Sequence, residues 1–283
     1  MQRNSPQFIG IGAEYAGLGV ITRLLADHPD LSSSIPALNF FNTDAFEDKG
    51  VSWYQSIFTN SESTRILGEC SPGYLQAPGV AARIVSLCPD AKLFVVVRNP
   101  LDRAIAQYKH ARTSGQINEQ ISCAQYLTTH PSAQTAGFYG KYLHDFFAYY
   151  SSLQLHVMVY EDFVSEPLKV MQTLYTFLEV DPNFIPKALA QYAPPPDEPK
   201  HRGRISRLIH FVVRLIKKAR TKPAISIVPP PFALADYFSA TELVTFKRVF
   251  AVDSTHLTNL LHRDMPVFWD LLEVPTRALF QSK

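Results

Sequence analysis

Short apolar runs alternate with stretches of helical spacing along the first two thirds of the chain. The run "FIGIG" at Phe8–Gly12 predicts a buried strand, and the loop "AEYAGLG" follows it. Val20, Ile21, Leu24 and Leu25 then recur at helical spacing until His28-Pro29 stops the helix. "GVAARIVSLCPDAKLFVVVRNP" repeats the scheme as a helix, a Pro-Asp turn and a second buried strand at Lys92–Val97. "LDRAIAQYKHARTSG" predicts a helix that ends near Gly115. A third round places a helix in "YGKYLHDFF", a strand at Leu155–Tyr160 and a helix from Pro167 to Leu178. After Val180 the pattern degrades, and two closing helices follow in "ALADYFSATELVTFKRVFAVDSTHLTNLLHRDMPVFW".

Nearly continuous apolar strands between helices imply an α/β fold, a central parallel sheet with helices on both faces. Ligands in such sheets bind beyond the carboxyl ends of the strands. The loops after Gly12, after Val97 and after Tyr160 are therefore the places for chemistry. The whole chain, 1–283, reads as a single domain with a Pro-bracketed lid or insertion at 193–232.

Composition narrows the class. With 46% hydrophobic and 18% charged residues in 283, the chain is not predominantly disordered. No apolar run approaches the roughly 18 residues of a membrane span. Cys70, Cys88 and Cys123 form neither a disulfide framework nor a metal-ligand spacing, and "MQRNSPQ" lacks the apolar core of a signal peptide. A reducing, cytoplasmic setting is the expectation.

Charge is uneven. Nine Lys/Arg and no acid lie between Lys200 and Lys222, which leaves 18 of the 27 basic residues against all 25 acids elsewhere. Ile205, Leu208, Ile209, Val212, Val213 and Ile216 recur at helical spacing within that segment, so 204–220 reads as a basic amphipathic helix. It either packs on the core with a solvated basic face or makes peripheral contact with an anionic membrane surface. Nucleic-acid binding is disfavoured, because the segment has one aromatic residue and no recognised module.

The first loop has the layout of a strand–glycine turn–helix anion site, in which backbone N–H groups of residues such as Ala16 and Gly17 face the ligand. The usual phosphate loop adds a lysine and a Ser/Thr. This loop has Glu14 and Tyr15 instead, so a plain tight turn is the competing reading. Arg98 directly follows a buried strand, where a guanidinium can clamp phosphate with two parallel bonds. Asn99-Pro100 sets the turn into the next helix. Arg103, beside Asp102, reads as a solvated surface pair.

These residues resemble the sulfotransferases that use 3′-phosphoadenosine 5′-phosphosulfate (PAPS), in the branch of the heparan sulfate and bacterial carbohydrate-type enzymes. The family's opening strand, its G-x-[QR]-K-[AGS]-G-T-T loop and its helix ending in H-P-D are matched by "GAEYAGLG…LLADHPDL". Phe40-Phe41, Gly50…Trp53-Tyr54, the Glu69-x-Ser71-Pro72-x-Tyr74 element and Arg98-Asn99-Pro100-x-Asp102-Arg103…Tyr108 follow in order, with "GFYGKYL", "VYEDF" and "LLHRDMPVFW" behind them. Departures fall at Tyr15 for the loop lysine, Leu18 and Gly19 for two threonines, Ala106 for a serine, Ala37 for a glutamate base and Cys70 for a lysine.

The resemblance implies PAPS as co-substrate, no metal, and sulfuryl transfer to a hydroxyl or amine of a small-molecule or carbohydrate acceptor. It places Arg98 on the 3′-phosphate, and Gly12, Tyr15, Ala16 and Gly17 on the 5′ side. Lys200, Arg202 and Arg204 fall in a basic flap, and Glu69 or His110 is the candidate base. A non-catalytic relative that acts as a binding or regulatory partner is the alternative.

Overall fold

The computed structural model of the chain describes residues 5–34, 37–59, 66–190 and 231–272. The parallel sheet is built from β1 (Phe8–Gly12), β2 (Leu31–Ser34), β3 (Ile66–Cys70), β4 (Lys92–Val97) and β5 (Leu155–Val159), in the order β2-β3-β1-β4-β5. Around it run α1 (Leu18–Ala26), α2 (Ala45–Asp48), α3 (Gly50–Thr59), α4 (Val80–Leu87), α5 (Pro100–Thr113), α6 (Cys123–Thr129) and α7 (Pro131–Thr135). The chain continues through α8 (Tyr139–Phe147), α9 (Tyr160–Ser165), α10 (Pro167–Phe177), α11 (Lys187–Ala190), α12 (Ala240–Leu261) and α13 (Met265–Phe268). The predicted α/β class and parallel sheet are what the structure has.

Successive side chains of a strand point to opposite faces. Ile9, Ile11, Leu93, Val95 and Val97 therefore enter one core with Ile84 of α4, Ile105 of α5 and Leu143 of α8. Phe8, Phe94, Val96 and Met158 enter a second core with Ile21 of α1 and Met171 of α10. Both faces are buried, which is why these strands read as continuous apolar runs.

β1 and β4 have the predicted bounds. β5 ends one residue earlier than expected, because Tyr160 opens α9 with Glu161 and Asp162 in its first turn, where acids suit the helix dipole. Two strands have no apolar signature. β2 is "LSSS", an edge strand, and β3 carries Glu69 in its centre. The basic segment, with Lys200, Arg202, Arg204 and the helix expected at 204–220, lies outside the described residues, as does nearly all of the 193–232 insertion. Among the described residues no helix is long and apolar enough to cross a membrane.

Candidate anion-binding site

The loop after β1 is held to the sheet by Ala13 N–H donating to Val96 O at 2.9 Å. It enters α1 through Gly17, whose φ of 106° is a left-handed conformation. A side chain on Gly17 would also strike the Tyr160 ring, since a Cβ there would lie 2.6 Å from ring carbons. Val20 N–H makes the first bond of the helix, to Gly17 O at 3.0 Å. The N–H groups of Gly17, Leu18 and Gly19 precede it and are available to an anion. Gly17→Ala is expected to cost about 1–3 kcal/mol through backbone strain and ring displacement. A thermal melt should show it as a drop of roughly 3–10 °C.

Arg98 emerges from β4 beneath this loop and is only 3% exposed. Its guanidinium lies between two rings, 4.5 Å from the centre of Tyr160 and 5.4 Å from that of Phe232. Nη1 reaches Tyr15 O at 3.5 Å, while Nε and Nη2 are buried without any acceptor. Buried donors are nearly always satisfied, and a cation with two idle donors marks a place for an anion.

The turn that presents Arg98 is tied down from three distant segments. Asn99 caps α5 by accepting from Leu101 N–H at 3.0 Å, with Pro100 at the first helical position. Its own N–H donates to Glu161 Oε1 at 2.8 Å, and its amide donates to Trp269 O at 3.1 Å. Trp269 Nε1 closes the ring of bonds on Glu161 Oε2 at 3.1 Å. Burial pushes the Glu161 carboxyl up, against the pull of these N–H donors and of Arg98. Glu161 and Trp269 belong to the "VYEDF" and "MPVFW" elements, so those matches act here as supports of the Arg98 turn.

Arg103 corrects the expectation of a solvated surface pair. It is fully buried, donates from Nη1 to Gln107 Oε1 at 2.8 Å and from Nη2 to Ala133 O, and leaves Nε without an acceptor. Burial lowers its pKa, and the charges of Tyr139, Glu14, Tyr126 and Tyr15 oppose that. Asp102 points elsewhere, with Oδ1 accepting from Phe232 N–H at 3.1 Å. Spacing gave no sign of this, since an Asp-Arg pair in a helix is ordinarily a surface feature.

Gly12, Tyr15, Ala16, Gly17 and Arg98 are brought together. His110 joins them from α5, its ring 5.7 Å from that of Tyr15, although its side chain is exposed. The Tyr15 phenol is pushed up by burial and by the Glu14 carboxylate, so it stays a hydroxyl donor at neutral pH.

Glu69 is placed differently from what a base requires. It is fully buried and accepts from Tyr54 Oη at 2.5 Å, Ser71 Oγ at 2.8 Å and Tyr74 Oη at 3.0 Å. In this arrangement it anchors the segment after β3, and no open face remains for an acceptor. Burial, partly offset by the three hydroxyls, raises its pKa.

A cleft of about 460 Å³ opens over the loop, lined by Glu14, Tyr15, Gly17, Gly19, Arg23 and Pro72 among others. A larger one of about 760 Å³ lies between α8 and α12, near His144, Asp253 and His256, and shares no residue with the loops after β1 and β4. The smaller cleft is the functional one, because the idle N–H groups of the loop open there and Arg98 touches the loop from below. Among the described residues no group of His, Cys, Asp and Glu could hold a metal ion.

A sequence profile described as "Sulfotransferase family" matches residues 42–184. The human bifunctional heparan sulfate N-deacetylase/N-sulfotransferase 2 is 29% identical over 198 residues, which is 62% of this chain and 22% of that protein. Human heparan sulfate glucosamine 3-O-sulfotransferase 3B1 is 29% identical over 180 residues, 61% of this chain and 46% of that one. The chain thus spans about a fifth and about half of these two relatives. Among solved structures, the sulfotransferase from Alicyclobacillus acidocaldarius superposes with a TM-score of 0.68 at 21% identity, covering 94% of this chain and 98% of that one. Mouse sulfotransferase SULT7A1 complexed with PAP gives 0.56 at 13% identity, covering 95% and 89%. At these identities the structures speak for the fold.

Proposed function

Because this chain belongs to the sulfotransferase family, we propose that it moves a sulfuryl group from PAPS to a hydroxyl or amine of a carbohydrate or small-molecule acceptor. The observation that carries this reading is the Arg98 guanidinium, buried with two donors idle under a loop of free N–H groups. Such a cradle fits a ligand with two separated anionic groups, and the PAP named with mouse SULT7A1 is a ligand of that kind. The names of the two heparan sulfate relatives support an amino-sugar or sugar hydroxyl as acceptor. They are the names of transferases, and none supports a non-catalytic partner.

Bound PAPS would supply an activated sulfuryl group. Arg98 would take the 3′-phosphate through Nε and Nη2, while the N–H groups of Ala16 and Gly17 would hold the 5′ side. Tyr15 would donate one neutral hydrogen bond where a lysine is usual. Charged donors are about twice as strong, so the transition state would lean more heavily on the loop N–H groups and on any basic residue of 200–204. His110, against Tyr15, is the exposed titratable group nearest the phenol among the described residues. The three buried free thiols, Cys70, Cys88 and Cys123, each pushed up to about 12 by burial, suit a reducing setting.

Calorimetry with 3′,5′-adenosine bisphosphate (PAP) tests the reading. Micromolar binding is expected; no heat at millimolar nucleotide would overturn it.

A further inference from the structure

Glu14 is the acidic residue of the loop cleft, and the fold goes to some length to hold it there. Gln76 donates Nε2 to Glu14 Oε2 at 2.7 Å, across 62 residues of sequence. Gly73 leaves room on the other side, since a Cβ there would meet Glu14 Oε1 at 3.6 Å and Asn42 Nδ2 at 2.7 Å. No hydrogen-bond donor holds Glu14 Oε1 among the described residues, and Asn42 Oδ1 is buried without a donor. Two acceptors without donors therefore sit around Gly73, one of them on a carboxylate. Groups of that kind call for an N–H or O–H from a ligand.

The same carboxylate disfavours a phosphate in the neighbouring loop. At 4 Å, two like charges near a protein surface repel by about 4 kcal/mol at an effective dielectric of 20. Arg103, buried nearby, feels the Glu14 charge and offsets part of this. A charge that opposes the nucleotide yet is braced by Gln76 has a use of its own.

We propose that Glu14 takes the proton of the acceptor's nucleophile, an inference that rests on the sulfotransferase reading above. The acceptor's amine nitrogen or hydroxyl oxygen bonds to sulfur as the bond from sulfur to the phosphate oxygen breaks. The bonding pair stays on that phosphate oxygen, giving PAP, and the N–H or O–H proton passes to Glu14 and then to water. Glu69 is closed off in its hydroxyl cage, and His110 lies against Tyr15 on the exposed side. Glu14 is the carboxylate that lines the cleft itself.

Glu14→Gln separates binding from transfer. PAP is expected to bind the variant about three- to tenfold more tightly in calorimetry, since a repulsive charge is gone. Transfer of labelled sulfate from PAPS to a glucosamine-containing oligosaccharide is expected to fall by about 100-fold or more, the usual effect of losing a general base. Glu14→Asp should recover part of the transfer.

Binding and transfer falling together would mark a structural residue and overturn the proposal. Full transfer by Glu14→Gln, with wild type active, would overturn it alone. Wild-type protein that binds PAP but transfers to neither amine nor hydroxyl acceptors would overturn the proposal and the activity together. Failure of wild type to bind PAP would remove the reading on which both stand.

Discussion

Arg98→Ala is expected to weaken PAP binding by at least a hundredfold, or about 3 kcal/mol, in calorimetry against wild type. The magnitude follows from the site's preparation. Arg98 is already out of water, flattened between Tyr160 and Phe232, and two of its donors have no acceptor. An anion that reaches those donors forms charge-assisted bonds without having to strip water from the arginine. Arg98→Lys keeps the charge and loses the planar fork, so an intermediate loss of about tenfold is expected. The melting temperature of the ligand-free Arg98→Ala protein should change little, because the residue removed is a cation without an ion-pair partner. An unchanged affinity for PAP in Arg98→Ala would show that the nucleotide lies elsewhere.

The second large effect is on stability. Glu69→Ala strands the hydroxyls of Tyr54, Ser71 and Tyr74 around a new cavity, and about 3–5 kcal/mol should be lost. That corresponds to a fall of roughly 6–15 °C in melting temperature. Glu69→Gln fills the same space and should keep most of the stability at neutral pH.

The pH dependence separates the two forms further. The folded pKa of Glu69 lies above the unfolded one, so the native state binds more protons between those values. Its contribution to stability is complete below the unfolded pKa and is lost as pH rises through the folded one. Stability curves of wild type against Glu69→Gln, measured from pH 4 upward in steps, should diverge with rising pH and favour the glutamine form. Parallel curves would mean that Glu69 is not held in its protonated form. If Glu69→Gln also keeps its transfer rate, the base is elsewhere, as the cage around this side chain implies.

Legibility differed from residue to residue for physical reasons. Arg98 could be read because a buried strand, a cap residue and a helix-starting proline follow one another in the chain, and each is a local signal. Glu14 was visible as an oddity in a loop that favours anions, but Gln76 and the gap at Gly73 are 62 and 59 residues away. Arg103 looked like a surface partner of Asp102, because only the packing of Ala133 and Gln107 around it shows its burial. β3 was hidden by Glu69, whose cost in a strand centre is offset by three hydroxyls that spacing cannot reveal.

By itself, the sequence determined the parallel α/β sheet, the bounds of β1 and β4, and the two loops that meet at the anion site. Those features rest on periodicity, capping and turn chemistry, which act between residues close in the chain. Tertiary structure alone decided which charged groups are open and which are sealed. Glu161 and Trp269 brace the turn after Arg98 across 62 and 170 residues, and Tyr54 reaches Glu69 across 15. Desolvation and hydrogen-bond satisfaction depend on what the fold brings alongside a group, and no spacing along the chain specifies that.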